Sequence, residues 1–199
     1  MAQARVPIQT DPDPPVSWVA LIGFMGTGKS RIGWELSRIL RLTFIDTDKV
    51  IERITCLTIP EILELYGEAT FRDYETEVVR RSLRLDRAVI STGGGTVVRP
   101  ENRALLAGRG PVVRLNAAAE TIYKRTRRHK RPLLEVGDPT ERIRDLLRER
   151  ESFYQEAASF TVESDDRDAS DVVADVVDGL RRWAAEHPNH EAVKGIGQA

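Results

Sequence analysis

The sequence has little that could cross-link the chain or span a membrane. Cys56 is the only cysteine among 199 residues, so an internal disulfide is impossible and a reducing compartment is favoured. We expect a buried apolar thiol at this position, because no histidine stands near it in the sequence. No apolar run approaches the roughly 20 residues that a membrane-spanning helix needs.

Net charge is also nearly absent. The formal net charge is -1, and lysine supplies only five of the 30 basic residues. A chain with so little net charge has no overall field that would attract nucleic acid or an acidic membrane surface, so we expect neither as a partner. Hydrophobic residues at 41% and charged residues at 31% are typical of a globular domain.

Glycine is concentrated in a stretch that fits the phosphate-loop pattern. Residues 23–30 read GFMGTGKS, after the apolar run at 18–22 and before an amphipathic segment. Glycines let successive backbone N–H groups approach phosphate oxygens, and Lys29 adds a positive charge. A helix that begins at Ser30 also directs its positive end at the anion. A glycine-rich turn is the alternative, but the flanking strand and helix signals favour a nucleotide-binding enzyme.

Apolar stretches and helical patterns alternate along the rest of the chain. Five short strands are predicted, at residues 18–22, 42–45, 88–91, 111–115 and 159–162. Strands that alternate with helices form parallel βαβ units, so we predict a layered α/β fold. We expect one domain at 17–186, a disordered lead-in at 1–16 and a frayed tail at 187–199.

Polar and glycine residues follow two of the predicted strands. Asp46 and Asp48 come after the second strand, and three glycines at 93–95 come after the third. Open α/β sheets bind ligands beyond the carboxyl ends of their strands, and consecutive glycines let a ligand touch the backbone. Taken alone, an ordinary polar turn and a flexible glycine turn are the alternatives.

A basic run at residues 125–131 reads RTRRHKR and precedes Pro132. Charge runs are usually solvated surface. This run is short and lies between two predicted helices, so a mobile lid over phosphates is a strong competitor. Nucleic-acid binding is a third option, which the low net charge and the lack of interleaved aromatic residues disfavour.

Phosphoryl transfer needs a phosphate cradle, a metal ion, a polarised acceptor and positive charge, and the sequence offers each of them. Residues 26–29 form the cradle. Ser30 can bind Mg²⁺, with Asp46 holding the ion directly or through water. Asp48 can accept the proton of a substrate hydroxyl.

Basic side chains complete the set. Lys29, Arg125 and Arg131 can neutralise the charge that develops on the transferring group. Arg72 and Arg150 remain, and each can form a two-point bond with a carboxylate. Two such arginines facing the acceptor would indicate an anionic substrate.

The ordered set of motifs resembles the shikimate kinase family. The motifs are GFMGTGKS at 23–30, DTD at 46–48, GE at 67–68 with FRDYE at 71–75, TGGG at 92–95, RPLL at 131–134, and Arg150 with Tyr154. The resemblance runs in order from about residue 18 to about residue 183, which is most of the chain. Taken alone, the glycine and RPLL motifs are weak indications of a family, whereas the whole set in this order is highly specific.

The resemblance implies an ATP-dependent kinase that phosphorylates the 3-hydroxyl of shikimate in the chorismate and aromatic amino-acid pathway. It implies a P-loop fold like that of nucleoside monophosphate kinases, with a five-stranded parallel sheet flanked by helices and a mobile lid. It also implies ATP and Mg²⁺ as cofactors and a monomer in the cytoplasm.

Carried over by position, the resemblance assigns roles to individual residues. The ATP-binding residues are expected to be Gly26, Thr27, Gly28, Lys29, Ser30 and Arg31, with Arg131 reaching from the lid and Arg167 beside the adenine. The shikimate-binding residues are expected to be Asp48, Arg72, Gly94 and Arg150. Ser30 and Asp46 would hold Mg²⁺, and Lys29, Asp48 and Arg131 would act in catalysis.

The chain departs from the family pattern at three places. Arg31 stands where threonine is usual, although its backbone N–H is retained, and Cys56 stands where glycine is common. The segment at 125–131 is one residue shorter than expected. The alternative functions are another small-molecule P-loop kinase, such as a gluconate kinase, and a non-catalytic nucleotide-binding module.

Overall fold

A parallel sheet of five strands forms the centre of the fold. The computed structural model describes residues 13–127 and 138–194. The strands are β1 (Trp18–Ile22), β2 (Thr43–Asp46), β3 (Ala88–Ser91), β4 (Val112–Asn116) and β5 (Phe160–Glu163). They lie side by side in the order β2-β3-β1-β4-β5, and every neighbouring pair is parallel. The predicted five-stranded parallel sheet is confirmed.

Helices connect the strands and flank the sheet. They are α1 (Lys29–Leu40), α2 (Thr47–Thr55), α3 (Ile59–Ser82), α4 (Pro100–Arg109), α5 (Ala119–Thr126), α6 (Pro139–Ala157), α7 (Ala169–Glu186) and α8 (Glu191–Lys194). A 3-10 turn, Thr96–Val98, precedes α4. Among the described residues, no helix is both long and apolar enough to cross a membrane.

The main core lies where α1 and α7 pack against the sheet. All five residues of β1 are buried, as expected for a strand with neighbours on both sides. The apolar positions that predicted an amphipathic α1 are its buried face, including Ile32 and Leu36. The same pattern in α7 buries Val172, Val176 and Leu180.

The second strand is less buried than its sequence predicts. We expected a buried strand at residues 42–45, but β2 starts one residue later and its residues are exposed or half-buried. It pairs only with β3, so it is an edge of the sheet. Leu42, just before β2, is buried instead.

Helix α3 changes direction at Gly67. Thr58 and Glu61 form a capping box at its start, each side chain bonding the other residue's backbone N–H. Gly67 has φ 78° and ψ 170°, a conformation outside the helical region that separates α3 into two helical halves. The helix is therefore broken at this glycine.

Cys56 is exposed, so the expectation of a buried thiol is wrong. It terminates α2 with φ 55°, in the left-handed region that glycine adopts most easily. The left-handed conformation explains why a glycine would suit the position.

Two of the described residues after α7 contact the rest of the fold. His187 stacks on Trp183 with ring centroids 4.5 Å apart. Ala192 in α8 is fully buried, and its carbonyl accepts hydrogen bonds from the backbone N–H and hydroxyl of Ser17. These contacts join α8 to the residue that precedes β1.

We predict that Gly179→Ala lowers the free energy of unfolding by about 1–3 kcal/mol, because it overpacks the contact between α7 and β5. A Cβ at Gly179 would lie 2.3 Å from a ring carbon of Phe160. Chemical denaturation followed by circular dichroism measures the change.

Gly108→Ala is the matched control. Gly108 is also helical, but a Cβ there would meet nothing within 4 Å. We expect this variant to be stabilised by about 0.5–1 kcal/mol, because alanine has the better helix propensity. Equal effects at the two sites would contradict the packing argument.

Candidate active site

The stretch at residues 23–30 forms a loop between β1 and α1. Gly26 and Gly28 have φ values of 77° and 97°, so both take the left-handed conformation that the motif predicts. Gly28 is the N-cap of α1, and no side chain caps that end of the helix. The first backbone N–H groups of α1 are therefore available to an anion.

Lys29 lies against the phosphate loop. Its Nζ donates to the carbonyl oxygens of Gly23 at 2.7 Å and Phe24 at 2.8 Å. Thr27 is also directed inward, since its hydroxyl donates to the Phe24 carbonyl at 2.8 Å. The hydrogen bonds from these two side chains close the loop, and they hold the positive charge of Lys29 beside the phosphate cradle.

Ser30 and Asp46, the predicted metal-binding pair, are brought together. The Ser30 hydroxyl donates to Oδ2 of Asp46 at 2.6 Å. Asp46 ends β2 and caps α2, where its Oδ1 accepts from the Lys49 backbone N–H. A hydroxyl and a carboxylate are hard oxygen donors of the kind that Mg²⁺ takes while keeping several waters. Within the described ranges, no group of three histidine, cysteine or acidic residues is placed to hold a metal.

A recess with a volume of about 240 Å³ adjoins the phosphate loop. It is lined by four of the predicted nucleotide-binding residues, Thr27, Gly28, Arg31 and Arg167, together with Arg125 of the predicted lid segment.

The three arginines of this recess differ in their contacts. Arg31 is exposed, and its Nε donates to Glu35 rather than to the loop. Arg125 donates to the carbonyl of Ser164 at 2.6 Å and to that of Gly26 at 3.3 Å. Arg167 is paired with Asp175 at 2.7 Å.

Asp48, Arg72, Gly94 and Arg150, the four predicted substrate residues, line one cavity of about 170 Å³. Met25 of the phosphate loop lies on its wall, so the cavity adjoins the cradle. The apolar part of the lining comes mainly from Ile59, Pro60, Leu63 and Phe71 of α3. The cavity therefore has a charged side and an apolar side.

Asp48 lies in the first turn of α2. Its Oδ1 is buried and has no hydrogen-bond partner among the described residues. Burial raises the pKa of Asp48 to about 6, and the negative charges of Glu75 and Asp46 add to the rise. A buried carboxylate oxygen without a partner is prepared to receive a donor from a ligand.

Arg72 is buried and held by two carboxylates on its own helix. Its guanidinium donates to Glu75 at 2.5 Å and to Glu68 at 2.8 Å. A Cβ on Gly95 would lie 2.2 Å from Nη1 of Arg72, so the guanidinium packs directly against glycine backbone.

Arg150 and Tyr154 reach the triglycine from one face of α6. The Tyr154 hydroxyl donates to the Gly94 carbonyl at 2.6 Å, and Arg150 approaches the same oxygen at 3.4 Å. Burial raises the pKa of Tyr154 to about 12, so it remains a protonated donor. These contacts fix the orientation of the Gly94 peptide group.

Sequence reasoning gave no role to Glu75. It is buried between Arg72 and the hydroxyl of Thr96, which donates to it at 2.8 Å. The signal that could have found it is its spacing of three residues from Arg72 in a predicted helix, which places both on one face.

Arg131, predicted to act from the lid, lies outside the described residues. The same is true of the rest of the predicted lid beyond residue 127. Arg125 and Arg127 of the predicted lid segment lie within the described residues, and Arg125 donates to the Gly26 carbonyl of the phosphate loop.

Comparisons with known proteins identify the family of this chain. Residues 25–181 match the family model described as Shikimate kinase. A shikimate kinase of Deinococcus radiodurans is 56% identical, over 85% of this chain and 86% of that protein. One from Thermus thermophilus is 47% identical, over 92% of this chain and 97% of that protein.

A solved structure supports the same assignment. The structure of shikimate kinase from Acinetobacter baumannii in complex with shikimate has a TM-score of 0.79 and 39% sequence identity, covering 82% of this chain and 92% of that one. The match of fold, motif order and family model leads to one conclusion. This chain belongs to the shikimate kinase family.

Proposed function

We propose that the protein transfers the γ-phosphoryl group of ATP to the 3-hydroxyl of shikimate, giving shikimate 3-phosphate and ADP. The observation that carries the proposal is the cavity beside the phosphate loop, which presents the unpartnered oxygen of Asp48 together with the guanidinium groups of Arg72 and Arg150. We assign the reaction to the chorismate pathway of aromatic amino-acid biosynthesis.

The two sides of the cavity suit the two kinds of surface on shikimate. Arg72 and Arg150 offer planar donors that match a carboxylate. Ile59, Leu63 and Phe71 offer apolar surface to the carbon ring. Asp48 then accepts a hydrogen bond from the hydroxyl that reacts, and Gly94 supplies backbone contact.

Asp48 orients the acceptor hydroxyl and takes its proton. Its raised pKa brings it nearer to the range in which a carboxylate accepts a proton readily at neutral pH. Lys29 neutralises charge on the transferring group, for which its Nζ would leave the carbonyl oxygens of Gly23 and Phe24. Arg131 would add a second positive charge from the lid.

The phosphate loop and the neighbouring recess hold the nucleotide. The backbone N–H groups of residues 26–31 surround the phosphates. Arg31 contributes through its N–H, since its side chain is directed to Glu35. Arg167 lies on the wall of the recess and packs beside the adenine.

The residues present fit a magnesium ion. Ser30 and Asp46 would hold it, because their oxygens already lie 2.6 Å apart at the edge of the phosphate loop. When bound, the ion neutralises phosphate charge and keeps the β- and γ-phosphates oriented.

We further propose that the enzyme acts as a monomer in the cytoplasm, without nucleic acid or membrane as a partner. The low net charge of the chain supports the proposal that neither nucleic acid nor a membrane is a partner. A non-catalytic module is disfavoured because Lys29, Asp48 and Arg150 are all present. A gluconate kinase would not need Asp48, Arg72 and the triglycine together.

The first test is ADP release by the purified protein with Mg·ATP, in the presence of shikimate, quinate, gluconate or no acceptor. We expect strong stimulation by shikimate alone and slow hydrolysis without acceptor, because a closed site excludes water. Stimulation by gluconate and not by shikimate, or a lack of stimulation by every acceptor tested, would refute the assignment. Fast hydrolysis without acceptor would refute the exclusion of water.

Replacement of Asp48 by asparagine tests the proton acceptor. We expect kcat to fall roughly 100- to 10,000-fold, the usual contribution of a general base, while the Kd for ATP stays nearly constant. Asp178→Asn is the control, because Asp178 lies on α7 in an exposed ion pair with Arg181. An unchanged kcat in Asp48→Asn would remove this residue from the chemistry.

Arg150→Ala tests the carboxylate contact. Loss of a charged hydrogen bond should raise the KM for shikimate roughly 10- to 100-fold and leave the KM for ATP near its original value. Arg148→Ala is the matched control on the same helix, since Arg148 is exposed and pairs with Asp145. Equal shikimate KM values in the two variants would show that the carboxylate is bound elsewhere.

A further inference from the structure

Thr96 is the residue that directly follows the triglycine, and its side chain is buried. It begins the 3-10 turn before α4, and only 1% of its surface is exposed. Its hydroxyl donates to Oε1 of Glu75 at 2.8 Å, although the two residues are 21 positions apart in the chain. The contact joins the turn after β3 to α3.

The backbone of Thr96 is fixed on both sides of this contact. Its N–H donates to the Gly93 carbonyl at 3.2 Å, and its carbonyl accepts from the side-chain amide of Asn102 at 2.9 Å. The hydroxyl therefore occupies a defined position relative to the triglycine. Through its hydrogen bond, the hydroxyl also fixes the position of the Glu75 carboxylate.

Glu75 lies between the two groups that face the acceptor. Its Oε2 accepts from Arg72, and a Cβ on Gly93 would lie 2.6 Å from both Oε1 of Glu75 and Oδ1 of Asp48. A shift of the Glu75 carboxylate would therefore move the partner of Arg72 on one side and change the surroundings of Asp48 on the other.

A buried carboxylate needs a hydrogen-bond donor for each oxygen. Arg72 serves one oxygen of Glu75, and Thr96 serves the other. Without the hydroxyl, Oε1 would be left unsatisfied close to another carboxylate, that of Asp48. Rotation of Glu75 would relieve the conflict, and Arg72 would lose its fixed partner.

We propose that Thr96 is a positioning residue of the kinase: its hydroxyl fixes Glu75, and Glu75 holds Arg72 in the orientation that binds the acceptor carboxylate. The proposal rests on the function proposed above. Thr96 acts only through Glu75, so its effect should fall on acceptor binding and not on the nucleotide.

The test compares Thr96→Val with Thr96→Ser. Valine keeps the shape of threonine but removes the donor, so the KM for shikimate should rise roughly 10-fold, as expected for loss of a hydrogen bond to a charged group. The KM for ATP should not change, and kcat should stay within about threefold. Serine retains the hydroxyl and should restore the original KM.

Thr76→Val is the matched control. Thr76 is a buried threonine on α3 beside Glu75, but its hydroxyl donates to the backbone carbonyl of Arg72 within the helix. We expect its shikimate KM to equal that of the unmodified enzyme. Denaturant unfolding of each variant separates loss of affinity from loss of folded protein, and Thr96→Ala replaces Thr96→Val if the latter does not fold.

The outcomes separate the two proposals. If the unmodified enzyme phosphorylates shikimate and Thr96→Val keeps the original KM, the role of Thr96 is overturned while the function stands. An equal rise in KM for Thr76→Val, or no recovery with serine, also overturns it. If the unmodified enzyme does not phosphorylate shikimate, the proposed function fails and the role of Thr96 fails with it.

Discussion

The active site depends on the close approach of charged side chains to the backbone that follows β3. Arg72 lies against Gly95, and Asp48 and Glu75 converge on Gly93, at distances that leave no room for a Cβ. Any side chain at these positions would displace a charged group from the cavity wall. The triglycine is thus a packing requirement of the site, because Asp48, Arg72 and Arg150 all approach its backbone closely.

Buried charge is the cost of this arrangement, and the structure offsets it by pairing. Arg72 is neutralised by Glu75 and Glu68, and Glu75 is further satisfied by Thr96. Asp48 is the exception, because its buried oxygen has no donor among the described residues. Because Arg72 and Glu75 satisfy each other and Oδ1 of Asp48 remains without a donor, the site is suited to a ligand that carries a hydroxyl group.

Much of the fold follows from local sequence signals, because strands, caps and the phosphate loop are set by neighbouring residues. The edge position of β2 and the exposure of Cys56 could not be predicted in this way. The first depends on strand order, and the second on the position of the C-terminal end of α2 at the surface. The contact between Thr96 and Glu75 joins residues 21 positions apart, a pairing that no local pattern contains.

The break at Gly67 separates two parts of the cavity wall. Ile59, Pro60 and Leu63 lie before it, whereas Phe71 and the charged residues Glu68, Arg72 and Glu75 lie after it. The first segment of α3 therefore contributes only apolar side chains to the lining, and it joins the segment that carries Arg72 through one residue. Natural variation in the first segment can reshape part of the surface proposed to face the carbon ring without displacing the guanidinium proposed to bind the carboxylate.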